Sequence, residues 1–353
     1  MKLLALPKYP RIGPSSRLRL FQFLPYLQSA GISVQVQPLV GSDYIRKLFS
    51  AGQRPLFDLF FGYWNRLRLL NKIDDTDLIW IEKELFPWIP GVDVKLLNKI
   101  NRPFVVDYDD AVFHLYDQHH RRFIRKILGK KIGWIMHSAK LVTVGNTYLA
   151  DYAERAGADC IQIIPTVVDT MRYGFRSKPD RDFCIGWIGS PITQRYLENI
   201  RGALEIVVRE DRLRLVLVGA SNSALRGISS EIVQWSEETE VESIQKFDVG
   251  IMPLPDNSFE RGKCGYKLIQ CMACGVPVVA SPVGINQTIV QHGVHGYHAR
   301  TQDEWVSCLR LLAANRELRE KMGRKAREKV MREFALSRVG PLLAEILTAA
   351  AKR

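Results

Sequence analysis

Cysteine is scarce, with six in 353 residues. Disulfide scaffolds are short and dense in cysteine, so this chain is not one, and its usage fits a reducing cytosol. Cys271 and Cys274 form a C-x-x-C with no second pair, which does not make a zinc site and reads as buried packing. No run of about 18 apolar residues occurs, so no segment is expected to span a bilayer. The apolar start ends at Pro7, Lys8, Pro10 and Arg11, too early for a secretory signal. No G-x-G-x-x-G follows the first predicted strand and no G-x-x-x-x-G-K-[ST] is found. Neither a dinucleotide cofactor nor an ATPase-type phosphate loop is expected.

What is there is ordinary for a globular protein: 46% hydrophobic and 25% charged residues. The length suggests about two domains. The net charge is +13, and it is unevenly placed. Residues 1–182 hold 27 Lys and Arg against 18 Asp and Glu, and residues 183–353 hold 23 against 19. A basic excess points to a polyanion (nucleic acid, anionic lipid or a phosphorylated substrate) or to solubility alone.

Short apolar runs alternate with helical patterns. Strands are predicted at Lys2–Pro7, Ile32–Leu39, Asp77–Glu82, Pro103–Asp107, Lys140–Val144 and Cys160–Ile164. A helix over Arg17–Ala30 ends at Gly31. The scheme repeats with strands at Phe183–Ile188, Leu213–Val218, Asp248–Leu254 and Pro277–Ser281. Helices are predicted over Tyr196–Arg209, Lys267–Cys274, 303–314, 316–333 and from about Leu336. Such alternation implies α/β architecture with parallel sheets covered on both faces. The polar segment Arg176–Asp182 reads as a linker. The expectation is two Rossmann-like, doubly wound domains facing across a cleft: 1–175 on the acceptor side and 176–335 on the nucleotide-sugar side. A last helix, 336–353, is expected to cross back to the first domain. In open α/β sheets ligands bind beyond the carboxyl ends of the strands.

The segment Phe259–Ser281 is the most informative. A basic loop with Gly262 and Gly265 leads into a helix. Backbone N–H groups at that helix start would cradle a phosphate. Lys263 and Lys267 add charge-assisted contacts. The alternative is a solvated loop before a buried helix.

This segment resembles the signature of glycosyltransferase family 4, retaining GT-B enzymes that use nucleotide sugars. The signature tail is matched by Cys271-Met272-Ala273-Cys274-Gly275-Val276-Pro277-Val278-Val279-Ala280-Ser281. Gly13-Pro14-Ser15-Ser16-Arg17 fills the family's glycine loop, and Asp107-Tyr108-Asp109-Asp110 fills the place of its His-Asp. Val144-Gly145-Asn146, Ile164-Pro165-Thr166, Gly186-Trp187-Ile188-Gly189-Ser190 and Asp248-Val249-Gly250-Ile251-Met252-Pro253 match further blocks. The resemblance implies donor contacts from Gly13, Ser190, Arg195, Glu260, Gly262, Cys264, Gly265, Tyr266 and Gln270. It implies no cofactor, the nucleotide-diphosphate sugar being a co-substrate, and no required metal. Three positions depart from the pattern. Gln270 stands in place of the second acid, which holds ribose hydroxyls in the family. Gly262 stands in place of the first, with Glu260 two residues away. Ser190 stands where an Arg grips the diphosphate, leaving Arg195 near the family's Lys position.

Asp109 and Asp110 end an apolar strand, where one carboxylate could meet a sugar hydroxyl or orient the acceptor. Asp110 is favoured as catalytic beside Lys263 and Lys267, and the alternatives are a helix cap or a metal site. Arg17 and Arg19 are candidates for a donor or acceptor phosphate, or are surface charge. His119–Lys131 is basic, with Phe123, Ile124, Ile127 and Leu128 at helical spacing, which reads as membrane-surface binding or as a packed helix with a solvated face. Residues 44–73 carry Phe49, Phe57, Phe60, Phe61, Tyr63 and Trp64, either a second lipid-facing surface or core. No nucleic-acid-reading module accompanies the charge.

The expected function is sugar transfer from a nucleotide-diphosphate sugar to an acceptor hydroxyl, in bacterial surface polysaccharide or lipid-linked glycan assembly. The expected partners are a nucleotide sugar, a saccharide or lipid-linked acceptor, and an anionic membrane surface. The expected location is cytoplasmic, peripheral on the inner face of the plasma membrane. The other readings are a non-catalytic GT-B nucleotide-sugar-binding protein and a sugar-nucleotide epimerase.

Overall fold

A computed structural model describes residues 1–51, 55–73, 75–175 and 182–352. The chain divides into two compact units. The first comprises Met1–Thr166, Arg261–Cys264 and Ser337–Arg353, and the second Val167–Glu260 and Gly265–Leu336. Most of the linker expected at Arg176–Asp182 lies outside the described residues.

The first unit holds a six-stranded sheet of β1 (Lys2–Leu6), β2 (Ser33–Val36), β3 (Leu78–Glu82), β4 (Phe104–Tyr108), β5 (Leu141–Val144) and β6 (Ile161–Ile163). The order is β2-β1-β3-β4-β5-β6, and every pairing is parallel. β3 and β4 are buried at every position, as strands covered on both faces must be. The second unit repeats the plan with β7 (Cys184–Ile188), β8 (Arg214–Val218), β9 (Glu231–Val233), β10 (Val249–Met252), β11 (Val278–Ala280) and β12 (Gly296–His298). Its order is β12-β11-β10-β7-β8-β9, again all parallel. These are two Rossmann-like α/β domains. Cys271 and Cys274 lie in the second unit's core.

Two sequence expectations change in detail, and two strands were not expected. The helix expected over Arg17–Ala30 is a helix over Pro14–Arg19, a 3₁₀ turn over Phe21–Phe23 and a helix over Leu24–Ser29. Pro25 has no N–H to give and its ring crowds the preceding turn. Leu20, five residues earlier and with φ −133°, leaves helical space. The helix expected from Tyr196 begins as a 3₁₀ stretch, Gln194–Ile200, and becomes α-helical over Arg201–Arg209. Edge strands β9 and β12, of three residues each, are too short to announce themselves by alternation.

Candidate functional site

In the first unit, chemistry collects where β1, β3 and β4 end. The turn after β1 closes on Gly13, where a Cβ would collide with the Tyr9 side chain. Gly13 is thus a close-approach position, and its N–H bonds the Pro10 carbonyl. Glu82, at the end of β3, accepts from Lys8 N at 2.8 Å and from Ser16 Oγ at 2.5 Å. Burial pushes its pKa up, opposed by Lys83. Lys83 sits in the left-handed region at φ 66°, uncommon for a residue with a Cβ. Its Nζ lies 2.7 Å from Asp109 and donates to Ser15 Oγ at 3.2 Å. Burial works against both charges, but the partners outweigh it. Lys83 is held above its ordinary range, and Asp109 below its own.

Arg19 is not placed to meet a phosphate from solvent. Its Nε and Nη2 donate to the two Asp107 oxygens at 2.9 and 2.7 Å, and Nη1 donates to the Ile164 carbonyl at 2.7 Å. Thr143 Oγ1 completes Asp107 at 2.6 Å. Arg19 and Asp107 are both buried, and a bidentate buried pair of this kind fixes the sheet end. Arg17 is also buried, so it is no solvated surface charge.

Asp110 remains partly open, with Lys263 Nζ 3.5 Å away. The segment Arg261–Cys264 is tied to this unit by its backbone. Asn146 Nδ2 donates to the Gly262 and Lys263 carbonyls at 2.9 and 3.2 Å. Cys264 Sγ reaches the Asp109 carbonyl at 3.0 Å. Burial pushes the Cys264 thiol up to about 12, so it is no nucleophile at neutral pH. A Cβ at Gly262 would stand 2.5 Å from Ala111 Cβ and 2.9 Å from Ala111 N. An acid has no room at this position, which accounts for its absence.

In the second unit, Gly265 takes φ 65° and caps the helix Tyr266–Ala273. A Cβ there would collide with Ile289, so glycine is required twice over. Lys267, in the first turn, lies over the Trp187 ring, 5.8 Å from its centre. That sets it at the end of β7. Ser190 folds inward on Thr193: its N–H donates to Thr193 Oγ1 at 3.1 Å. Arg195 stacks on Tyr196 at 5.1 Å and lies 3.7 Å from Glu260. Tyr196 OH donates to Glu260 at 2.5 Å. Glu260 is buried, and these bonds engage it within the unit.

Gln270 belongs to a buried network that the sequence did not disclose. Its Nε2 donates to Tyr173 OH at 2.9 Å and to Glu240 Oε2 at 3.4 Å. Tyr173 OH donates to Glu240 Oε1 at 2.6 Å, Trp235 Nε1 donates to Oε2 at 2.9 Å, and Arg172 pairs with Oε1 at 2.9 Å. Tyr266 OH is 3.2 Å from Tyr173 OH. Gln270 is the neutral partner that lets the Glu240 carboxylate sit there. An acid at 270 would face a carboxylate across a hydrogen-bond distance.

Reasoning from sequence missed Glu82 and Lys83, although three charges at the end of an apolar strand (Glu82-Lys83-Glu84) were a readable signal. It missed Glu240 and Tyr173, for which no local signal exists.

Comparison with known proteins gives the following. Residues 183–315 match the family described as Glycosyl transferases group 1. Over 83 residues the chain is 34% identical to N-acetyl-alpha-D-glucosaminyl L-malate synthase of Bacillus anthracis, covering 23% of this chain and 22% of that protein. Among solved structures it is similar to a sucrose-phosphate synthase from Thermosynechococcus elongatus, with TM-score 0.76, 18% identity and 99% of both chains covered. It is similar also to Anabaena HepE in complex with UDP-glucose, with TM-score 0.73, 15% identity, and 99% of this chain and 100% of that one covered. The fold is therefore that of GT-B glycosyltransferases, and residues 183–315 carry the group 1 match within it.

Proposed function

We propose that the protein transfers a sugar from a nucleotide-diphosphate sugar to an acceptor hydroxyl, with retention at the anomeric carbon. The observation that carries this reading is the match of residues 183–315, which contains the glycine-capped helix Tyr266–Ala273 with Lys267 in its first turn. N–H groups at a helix start and a nearby ammonium suit a departing diphosphate. Stabilising that leaving group is the proposed catalytic contribution, and no protein nucleophile is needed. Lys263 adds charge from the preceding loop. Asp110, the more open of the two carboxylates after β4, orients the acceptor. Glu260, Gln270 and Ser190 shape the donor side through their neighbours, whereas Arg195, the more exposed partner of Glu260, extends to the donor. The HepE complex with UDP-glucose makes a uridine donor the first to try. The acceptor is a saccharide, lipid-linked and met at the inner face of the plasma membrane.

A non-catalytic nucleotide-sugar-binding role is the second reading. It is favoured by the internal engagement of Glu260 and Gln270, which leaves the family's acid positions without a carboxylate turned to a ligand. Thermal unfolding with a panel of nucleotide sugars tests donor binding. A ligand at a hundred times its Kd stabilises by about 2.7 kcal/mol, and the bound donor should then release its diphosphate. Stabilisation with the donor left intact would favour the second reading.

A further inference from the structure

A cavity of about 1000 Å³ lies in the first unit, where Phe104, Leu141 and Cys160 bring the amino ends of β4, β5 and β6 to its wall. Asp109 and Asp110 follow the other end of β4, a strand of five residues. At a rise of about 3.3 Å per residue the cavity stands roughly 15 Å from them, so it is no part of the candidate site. Helices that cross over a parallel sheet run back against its strands, and three of them end at this cavity. Asn98 brings the last turn of the helix Val92–Ile100, Ser138 that of Lys131–Ser138, and Ala349 that of Leu336–Lys352.

The lining decides the chemistry of the occupant. Arg102 and Lys140 are basic and exposed, so a cation is repelled. Asp159 and the carbonyl ends of three helices, which carry partial negative charge, work equally against an anion. The amides of Asn98 and Gln162 and the hydroxyl of Ser138 would lose their water to a wholly apolar ligand without regaining a partner. What the wall offers is donors and acceptors together, with aliphatic surface from Leu97 and Ile346 between them. His137 adds to this: its Nδ1 donates to the Gly157 carbonyl at 2.7 Å, which leaves Nε2 an acceptor in the neutral ring. A neutral polyhydroxyl compound matches such a wall, because each hydroxyl donates and accepts and the C–H faces of a sugar ring cover aliphatic surface.

We infer that this cavity is a second saccharide site, which takes a neutral oligosaccharide segment of the acceptor away from the reacting hydroxyl. Its volume stands at the upper end of the roughly 300–1,000 Å³ of small-ligand clefts, room for more than one sugar unit. The inference rests on the saccharide acceptor of the proposed function and adds a place where the body of a longer acceptor is held, at the far end of the same sheet.

The test is calorimetric titration of the full chain, without nucleotide sugar. The probes are neutral tetrasaccharides of glucose, galactose, mannose and N-acetylglucosamine, the four monosaccharides, inorganic phosphate and spermidine. At least one tetrasaccharide should bind, about tenfold or more tightly than its monosaccharide. Asn98→Ala with Gln162→Ala, both exposed positions, should weaken that binding about tenfold or more. Alkylation by iodoacetamide, read by peptide mass spectrometry, locates the ligand: Cys160 lines the cavity, whereas Cys308, also half-buried, belongs to the second unit. The bound tetrasaccharide should slow labelling of Cys160 and leave Cys308 unchanged. Binding of no tetrasaccharide overturns the inference, as does binding that the folded double variant keeps in full. Equal affinity for the monosaccharide makes a free sugar the ligand and overturns it too, and protection of Cys160 by phosphate or spermidine instead overturns the choice of a neutral ligand. Nucleoside diphosphate release from a donor should persist in the double variant, so failure here is distinct from failure of the transferase reading.

Discussion

At the scale of single residues, the departures from the signature that the sequence resembles have local causes. Gln270 donates toward Glu240, so Gln270→Glu sets two buried carboxylates against each other. The pair then holds a proton in the folded state, with a pKa above the unfolded value of about 4.3. The folded state binds more protons across that window, so the variant loses stability as pH rises through it. Chemical denaturation should show a deficit of about 1–3 kcal/mol at neutral pH that shrinks toward pH 4. Equal stability at both pH values would remove the network as the reason for glutamine. Asp109 has the opposite sign. Lys83 holds it below its ordinary range despite burial, so its contribution is present above about pH 3.9 and is lost as pH falls through its lower folded value. Asp109→Asn should therefore destabilise at neutral pH and converge on wild type in acid, followed by the same melts.

Elements show where the sequence could be read and where it could not. The buried strands β3 and β4 are nearly continuous apolar runs, and their ends were placed within a residue or two. The helix Tyr266–Ala273 was legible because Gly265 and Gly275 bracket an apolar period. Contacts distant in sequence were not legible. Arg19 lies 88 residues from Asp107, and Gln270 lies 97 from Tyr173, and no local pattern encodes such partners. Arg19 therefore read as a candidate phosphate contact or as surface charge, and it is the buried counter-ion of a strand end. Arg19→Ala should cost about 3–5 kcal/mol, because it leaves Asp107 buried without its partner. Gly265→Ala should be costly as well, by roughly 1–3 kcal/mol, for its positive φ and its lack of room beside Ile289. Thermal unfolding measures both, and a near-neutral Gly265→Ala would show that the helix start can relax.

Across the whole molecule, two parallel sheets built alike bring loops and helix starts to their carboxyl ends, the general place for ligands in such folds. The resemblance carried by the tail Cys271–Ser281 pointed to this architecture, and the structural neighbours share it over almost the full chain. Part of the basic excess of the first half lies on an exposed helix, Arg122–Leu128. The central claim is donor cleavage assisted by Lys267. Its most direct measurement is nucleoside diphosphate release by purified protein from a panel of nucleotide sugars, comparing wild type with Lys267→Ala. The account predicts release from at least one donor, and a fall of about 10²–10³ in the variant with the fold intact, the loss typical when one stabilising donor group is removed. Release at the same rate by both proteins, or from no donor at all, would contradict it.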